Sequence, residues 1–147
     1  MTTFAEVFAG VYTTVAAHSQ HQDAGNTDAI MELYTPDAVL EVPGMGVFEG
    51  ADAIRAAWDK WKPQGLQRHM PVNIVITHWN DEQARATTDV VFLAQGEAGW
   101  SVQIVARYQD VFRPVDGRWL LSRRADEYIG WGLADRNRPI DAIDRSG

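Results

Sequence analysis

One histidine and one aspartate have the residue types that a proton-abstracting site needs. His69 precedes the apolar run 74–76, so we predict that its imidazole lies at the mouth of a strand. Imidazole titrates near neutral pH, and its neutral form can remove a proton from carbon if the correct tautomer faces the substrate. Asp23, at the end of the first predicted helix, is our candidate for fixing that tautomer by accepting the Nδ1–H. The alternative is a hydrogen-bonded core histidine and a carboxylate that caps the helix.

Arg124 and His18 could complete such a site. Alternation along the last predicted strand puts five residues on one face: Leu120, Ser122, Arg124, Asp126 and Tyr128. If that face lines a cavity, the buried guanidinium must be paired, and it could stabilise a leaving group or an anionic part of a substrate. The alternatives are a structural Arg124–Asp126 pair or an outward-facing arginine. His18 could assist the leaving group, or it could be a core histidine bonded to backbone.

Composition excludes several classes of function. The net charge of −7 argues against nucleic acid and anionic membrane surfaces as partners, because phosphate neutralisation needs clustered Lys and Arg. The chain has no cysteine, which excludes disulfides and thiolate chemistry. His18, His21 and Asp23 all belong to one helix end without a fourth ligand, so we expect no metal. Without a signal-like or membrane-length apolar segment, we expect a soluble cytoplasmic protein.

Two periodicities divide the chain, which we interpret as one domain over 1–147 with a core at about 4–128 and a tail at 129–147. Helical spacing predicts a first helix from a capping box at Thr3 and Glu6 to about Asp23, a second from about Thr27, and a third over 52–61. The predicted buried stripe of the first helix is Phe4, Val7, Phe8, Val11, Tyr12 and Val15. Period-two spacing predicts strands over 68–78, 83–94, 100–113 and 118–128, and a short strand over 38–42. This order predicts an α+β fold in which a curved sheet wraps its helices.

Short motifs in a fixed order resemble the SnoaL-like branch of the NTF2-like superfamily. The motifs are DAGNTDAI at 23–30, LYTPDAV at 33–39, FEG at 48–50, RH at 68–69, RYQD at 107–110, GRW at 117–119 and SRR at 122–124. Each is weak alone, and the ordered set covers about 12–128. The resemblance implies a cone-shaped α+β barrel of the cystatin-like type, with a curved mixed sheet around the N-terminal helix and an internal apolar cavity. It also implies a homo-oligomer, a dimer or a trimer.

The resemblance assigns roles to the candidate residues. In dehydratases and a dehydrochlorinase of this superfamily, an Asp after the first helix orients a His at the start of a central strand, and the pair maps to Asp23 and His69. The dehydrochlorinase's helix lysine maps to His18, which is a substitution, and its last-strand arginine maps to Arg124. The base of the related ketosteroid isomerase maps to Val42, so that base is missing here.

We therefore predict a cofactor-independent lyase, of dehydratase or dehydrohalogenase type, acting on a hydrophobic cyclic or polyketide-derived small molecule. His69 would abstract the proton, Asp23 would orient it, and Arg124 would stabilise developing negative charge, with His18 as an auxiliary group. The predicted substrate-binding residues are Tyr34, Phe48, Met70, Val90, Phe92, Tyr108, Asp126 and Tyr128. The alternatives are an isomerase or cyclase, and a non-catalytic binding or assembly module like the small subunits of ring-hydroxylating dioxygenases.

Overall fold

The computed structural model describes residues 1–132, which form three helices and six strands. The helices are α1 (Phe4–Ala24), α2 (Thr27–Met31) and α3 (Ala51–Lys60). The strands are β1 (Tyr34–Val42), β2 (Gly46–Glu49), β3 (Gln67–Trp79), β4 (Ala84–Gly96), β5 (Gly99–Val115) and β6 (Arg118–Trp131). The predicted helices and strands are all present, and β2 is an additional strand that the sequence patterns did not indicate.

The predicted buried stripe of α1 is only half right. Val7, Val11 and Val15 are fully buried, whereas three aromatic side chains are 39–53% exposed: Phe4, Phe8 and Tyr12. Both sets recur every four residues, so they form two neighbouring rows on the helix surface. The sheet covers only the valine row. The aromatic row faces solvent, where its rings pack against each other at centroid distances of 6.1–6.2 Å.

The six strands form one mixed sheet in the order β2-β1-β6-β5-β4-β3. Strands β3 to β6 make the predicted antiparallel meander, and β1 joins β6 in parallel. Helix α1 contacts both β3 and β6, which lie three strands apart, so the sheet must curve around the helix. The sheet is not closed, because β2 and β3 remain as its edges. The predicted α+β class is thus confirmed, as an open cone rather than a closed barrel.

Strand β1 begins earlier than the predicted range 38–42. Helix α2 ends at Met31, and Tyr34 already pairs with Leu121 of β6. The β1–β6 register is irregular between Tyr34 and Val39, and Pro36 lies within that irregularity. A proline has no N–H to donate to a ladder, so it is tolerated where the ladder is already interrupted.

A bulge in β6 changes which of its residues face inward. Phe112 of β5 pairs with Leu121 and Val111 pairs with Arg123, which leaves Ser122 as an extra residue. The simple alternation that grouped Leu120 and Ser122 with Arg124 is therefore wrong. Leu121, with no exposed surface, shares the concave face with Arg124, while Asp126 and Tyr128 follow Arg124 on that face as predicted.

The apolar core lies between the concave face of the sheet and the helices. Its fully buried members include Val11 on α1, Ile54 on α3 and Phe112 on β5. Strand β6 continues to Trp131, past the predicted start of the tail at 129, and residues 133–147 lie outside the described part of the chain. No helix within residues 1–132 is long and apolar enough to cross a membrane.

Candidate active site

The end of α1 brings Asp23 against the start of β3. Gly25 ends the helix in the left-handed conformation, with φ of 66°, and its N–H donates to the carbonyl of Gln22. Asp23 therefore stays in the last helical turn. Its Oδ1 lies 2.7 Å from His69 Nδ1, and its Oδ2 accepts the His69 backbone N–H at 2.8 Å. One carboxylate thus holds both the ring and the backbone of the histidine.

The partners of the His69 ring are consistent with one neutral tautomer. The amide nitrogen of Gln22 lies 3.1 Å from Nε2. The Asp23 carboxylate can only accept, so Nδ1 carries the proton, and in the neutral ring Nε2 then carries the lone pair to which the Gln22 amide can donate. The ring of Phe92 stacks on the imidazole at a centroid distance of 4.4 Å, with 17° between the planes. These contacts present a basic nitrogen in a restrained orientation.

The Asp23–His69 pair is nearly removed from solvent. The side chains of His69 and Asp23 are only 11% and 6% exposed. Asp23 Oδ1 also accepts a hydrogen bond of 3.2 Å from Gln67, which lies two residues before His69 on β3. Sequence reasoning missed Gln67, although its position on the same strand face as His69 was an available signal.

A cavity of about 400 Å³ opens beside His69 on the concave face of the sheet. Seven of the predicted site residues line it: His69, Val90, Phe92, Tyr108, Arg124, Asp126 and Tyr128. Leu40 and Val42 from β1, and Trp58 and Trp61 from α3 and its end, complete the apolar wall. The cavity therefore joins a potential base to a mostly apolar chamber, as small-molecule sites commonly do.

Three predicted substrate-binding residues do not line this cavity. Met70 is 50% exposed, because strand alternation turns it to the face opposite His69. Phe48 lies on the edge strand β2 and packs against Trp61. Tyr34 is buried beneath the cavity wall and contacts His18 instead. The prediction that Met70, Phe48 and Tyr34 line the cavity is therefore wrong.

Arg124 is buried, and its partner is Asp110 rather than Asp126. The guanidinium Nε and Nη2 donate to the two Asp110 oxygens at 2.9 and 2.8 Å. Burial opposes the charge, but the coulombic attraction and hydrogen bonds of Asp110 outweigh it and raise the pKa of Arg124. The guanidinium carbon also lies 3.9 Å above the centre of the Tyr108 ring. Asp110 was missed as a site residue, although it alternates with Tyr108 on β5.

Burial favours the neutral form of two further polar groups on the cavity wall. Desolvation raises the pKa of Asp126 to about 7, against the opposing attraction of Arg124. Asp126 Oδ1 is buried and has no hydrogen-bond partner within residues 1–132. Desolvation likewise raises the pKa of Tyr108, and the neighbouring Asp126 adds to the shift. Near neutral pH this part of the wall can therefore offer O–H donors.

His18 lies behind the cavity wall rather than on it. Its Nε2 lies 2.9 Å from the Tyr34 hydroxyl, and its ring packs edge-on against Trp58 at 5.1 Å. Complete burial, followed by repulsion from Arg124, holds the pKa of His18 well below its usual value. The structure therefore does not support direct contact of His18 with a bound substrate. The hydrogen-bond partner of His18 is the Tyr34 side chain, whereas the alternative prediction was a backbone group.

Comparison with solved structures confirms the NTF2-like, cystatin-like fold. An NTF2-like protein with a cystatin-like fold from Novosphingobium aromaticivorans has a TM-score of 0.76 and 20% identity, covering 88% of this chain and 86% of that chain. A candidate scytalone dehydratase from the same organism has a TM-score of 0.74 and 18% identity, covering 84% of both chains. LinA has a TM-score of 0.76 and 18% identity, covering 88% of this chain and 90% of that chain.

The sequence itself identifies the family. No curated protein matches it significantly. The SnoaL-like domain, however, matches residues 5–125, from the first turn of α1 to the middle of β6. Because this match spans most of the chain and includes Asp23, His69 and Arg124, the protein belongs to the SnoaL-like domain family.

Proposed function

We propose that the protein is a cofactor-independent lyase that removes a proton from carbon beside a leaving group. The observation that carries this proposal is the 2.7 Å contact between Asp23 and His69 at the wall of an apolar cavity. His69 Nε2 acts as the base, and Asp23 holds the tautomer and stabilises the imidazolium that forms. Arg124 stabilises negative charge that develops on the substrate.

The surroundings of Nε2 support its role as the base. Gln22 donates to the Nε2 lone pair and also lines the cavity. A bound substrate must displace that amide to bring its C–H to Nε2. The near-complete burial of the pair keeps competing water away and strengthens the electrostatic support from Asp23.

The cavity favours a hydrophobic cyclic or polyketide-derived substrate. Its volume of about 400 Å³ suits a molecule of two or three fused rings. The aromatic side chains of Phe92, Tyr108 and Tyr128 provide flat apolar surface on its walls. His69 lies on β3, and Arg124 and Asp126 lie on β6, so polar groups from two strands can orient a ring in a mostly apolar chamber.

Elimination is favoured over isomerisation because an apolar residue, Val42, occupies the position of the isomerase base. The base of the ketosteroid isomerases corresponds to Val42, which is 6% exposed and lines the cavity as an apolar residue. Double-bond isomerisation would then depend on His69 both removing and returning the proton. A purely structural module would have no use for a buried Asp23–His69 pair, because ionisable groups without a function are costly to bury.

We also propose that the protein is a homo-oligomer that associates through the convex face of the sheet. Four apolar side chains of that face are 37–50% exposed: Met70, Val72, Trp100 and Val102. Grouped apolar exposure of this kind is typical of an interface. Light scattering after size exclusion should give a dimer or a trimer, and Val102→Lys should shift it toward the monomer. A monomer at micromolar concentration would contradict this part of the proposal.

The proton abstraction can be tested separately from the leaving group. In D2O, 1-tetralone has exchangeable protons beside its carbonyl and no leaving group. NMR should show that the protein accelerates their exchange, and that His69→Ala lowers the rate by about 10²–10⁴-fold. Asp89→Asn, on the convex face and paired with Arg107, is the matched control and should exchange normally. Equal exchange with and without His69 would contradict the proposal.

A further inference from the structure

Asp126 has an unusual position for a carboxyl group that forms no salt bridge within residues 1–132. It lies on the cavity wall on β6, and its Oδ1 is buried without a hydrogen-bond partner in the described part of the chain. Arg124, two residues earlier on the same face, directs Nε and Nη2 to Asp110. Arg124 Nη1 is also buried without a hydrogen-bond partner among residues 1–132. An oxygen and a guanidinium nitrogen, neither with a hydrogen-bond partner among residues 1–132, thus belong to residues two positions apart on the same face of β6.

Burial raises the pKa of Asp126 to near neutral pH, so a substantial fraction of this carboxyl is protonated there. From its own strand it faces Arg124, and from β5 it faces Tyr108 and Asp110, which is already paired. Burial raises the pKa of Asp126 to about 7, with the attraction of Arg124 opposing and the repulsion of Asp110 adding to the rise. Within residues 1–132, the other titratable groups of the cavity lining are Tyr128 from β6, His69 from β3, and Lys60 and Lys62 from the end of α3. His18 from α1 and Tyr34 from β1 lie behind the wall.

The leaving group decides whether an eliminating enzyme needs an acid. Chloride departs as a stable anion, and a cation such as Arg124 is enough to stabilise it. Hydroxide is a poor leaving group and departs readily only when it receives a proton as the C–O bond breaks. A neutral carboxyl in a water-poor cavity, beside a guanidinium N–H, meets that need.

We propose that Asp126 is the acid that protonates a departing hydroxyl. This inference rests on the proposed lyase function and selects dehydration over dehydrohalogenation. The substrate hydroxyl accepts a hydrogen bond from the Asp126 O–H.

The step balances without any co-reactant. His69 Nε2 takes the proton from the carbon beside the carbonyl, and that C–H electron pair becomes the new C=C bond. The C–O bond breaks, and its electron pair leaves with the oxygen, which takes the Asp126 proton and departs as water. The protein is left with an imidazolium and an Asp126 carboxylate. Transfer of one proton from His69 to Asp126 through the released water restores the starting state.

The test compares two probes that differ only in the leaving group. The probes are 3-hydroxy-1-tetralone and 3-chloro-1-tetralone, and elimination from either yields 1-naphthol, whose fluorescence is followed after subtraction of the spontaneous rate. Asp126→Asn keeps the shape and the polarity but cannot donate a carboxyl proton. It should lower the rate with the hydroxy probe at least about 100-fold more than the rate with the chloro probe. Asp126→Thr is the second variant if Asp126→Asn does not fold, and Asp89→Asn should leave the ratio of the two rates unchanged.

Each outcome separates this inference from the proposed function. Equal losses with the two probes, or no loss with either, would overturn the acid role of Asp126. A wild-type protein that exchanges deuterium into 1-tetralone but does not dehydrate the hydroxy probe would overturn the hydroxyl leaving group and leave the base assignment standing. A protein that neither exchanges nor eliminates would overturn the lyase itself, and this inference with it.

Discussion

Asp23 contacts His69 at two points, with one carboxylate oxygen 2.7 Å from ring Nδ1 and the other 2.8 Å from the backbone nitrogen. The backbone contact ties the end of α1 to the start of β3, and the ring contact selects the tautomer. A single side chain therefore sets both the place and the chemical state of the proposed base. This arrangement makes the two functions of Asp23 separable by substitution.

Asp23→Asn should impair activity far more than stability. The asparagine oxygen can still accept the His69 backbone N–H, but its NH₂ then faces Nδ1 and favours the tautomer with the proton on Nε2. The base would be blocked, and 1-tetralone exchange should fall by about 10²–10⁴-fold. Thermal unfolding should change little. Asp28→Asn, on an exposed carboxylate, is the control, and normal exchange by Asp23→Asn would contradict the tautomer argument.

Arg124→Met should destabilise the fold strongly. It leaves Asp110 as an unpaired carboxylate with almost no exposed surface, which typically costs about 3–5 kcal/mol. The double variant Asp110→Leu with Arg124→Met removes both charges and should recover most of that loss in urea unfolding. It should remain about 10²-fold less active than the wild type, because the cavity has lost its cation. Recovery of activity together with stability would show that Arg124 is only structural.

His18 should make the protein sensitive to acid. Burial lowers the pKa of His18 in the folded state, so below about pH 6.5 the unfolded state binds a proton at His18 that the folded state does not bind. The stability that depends on neutral His18 is present above the unfolded pKa of about 6.5 and is lost as the pH falls below it. The slope from one such group is at most about 1.4 kcal/mol per pH unit. His18→Gln, which can still bond Tyr34, should flatten urea-derived stability between pH 7 and 5.

Asp126 should have the opposite effect on stability. Its pKa of about 7 in the folded state lies above the value for an unfolded aspartate, so its contribution is present at low pH and is lost as the pH rises from about 4 through 7. Asp126→Asn should therefore gain stability over the wild type as the pH rises, by about 1–3 kcal/mol at pH 8. An unchanged difference between pH 4 and pH 8 would contradict a buried, neutral carboxyl.

The two rows of α1 give a direct test of which face the sheet covers. Val11→Ala, at a fully buried position, should cost about 2 kcal/mol of unfolding free energy. Phe8→Ser, at a side chain that is 39% exposed, should cost clearly less despite the larger change in size. The reverse order would mean that the aromatic row packs against a partner in solution.

Local sequence patterns were enough to predict the helices and strands and the Asp23–His69 pair of the site. The capping box at Thr3 and Glu6, the turn at Gly25 and the period-two strands depend on contacts within a few residues, and the structure contains them. The ordered motifs resembled one family, and they brought Asp23 and His69 together across 46 residues. What the sequence determined by itself was therefore the fold class, the family and the two residues in contact.

Tertiary structure alone decided which faces were buried and which charges paired. Helical spacing is the same for the valine and aromatic rows of α1, and only the position of the sheet distinguishes them. A single bulge at Ser122 places Leu121, rather than Ser122, on the same face of β6 as Arg124. No local sequence pattern indicates such an extra residue. Asp110 became the partner of Arg124 because the register of β5 and β6 places these two residues, 14 positions apart in the chain, opposite each other. Burial and pairing are properties of the assembled sheet. Only its register shows that Arg124 pairs with Asp110, and that Asp126 is buried on the cavity wall without this cation as a hydrogen-bond partner.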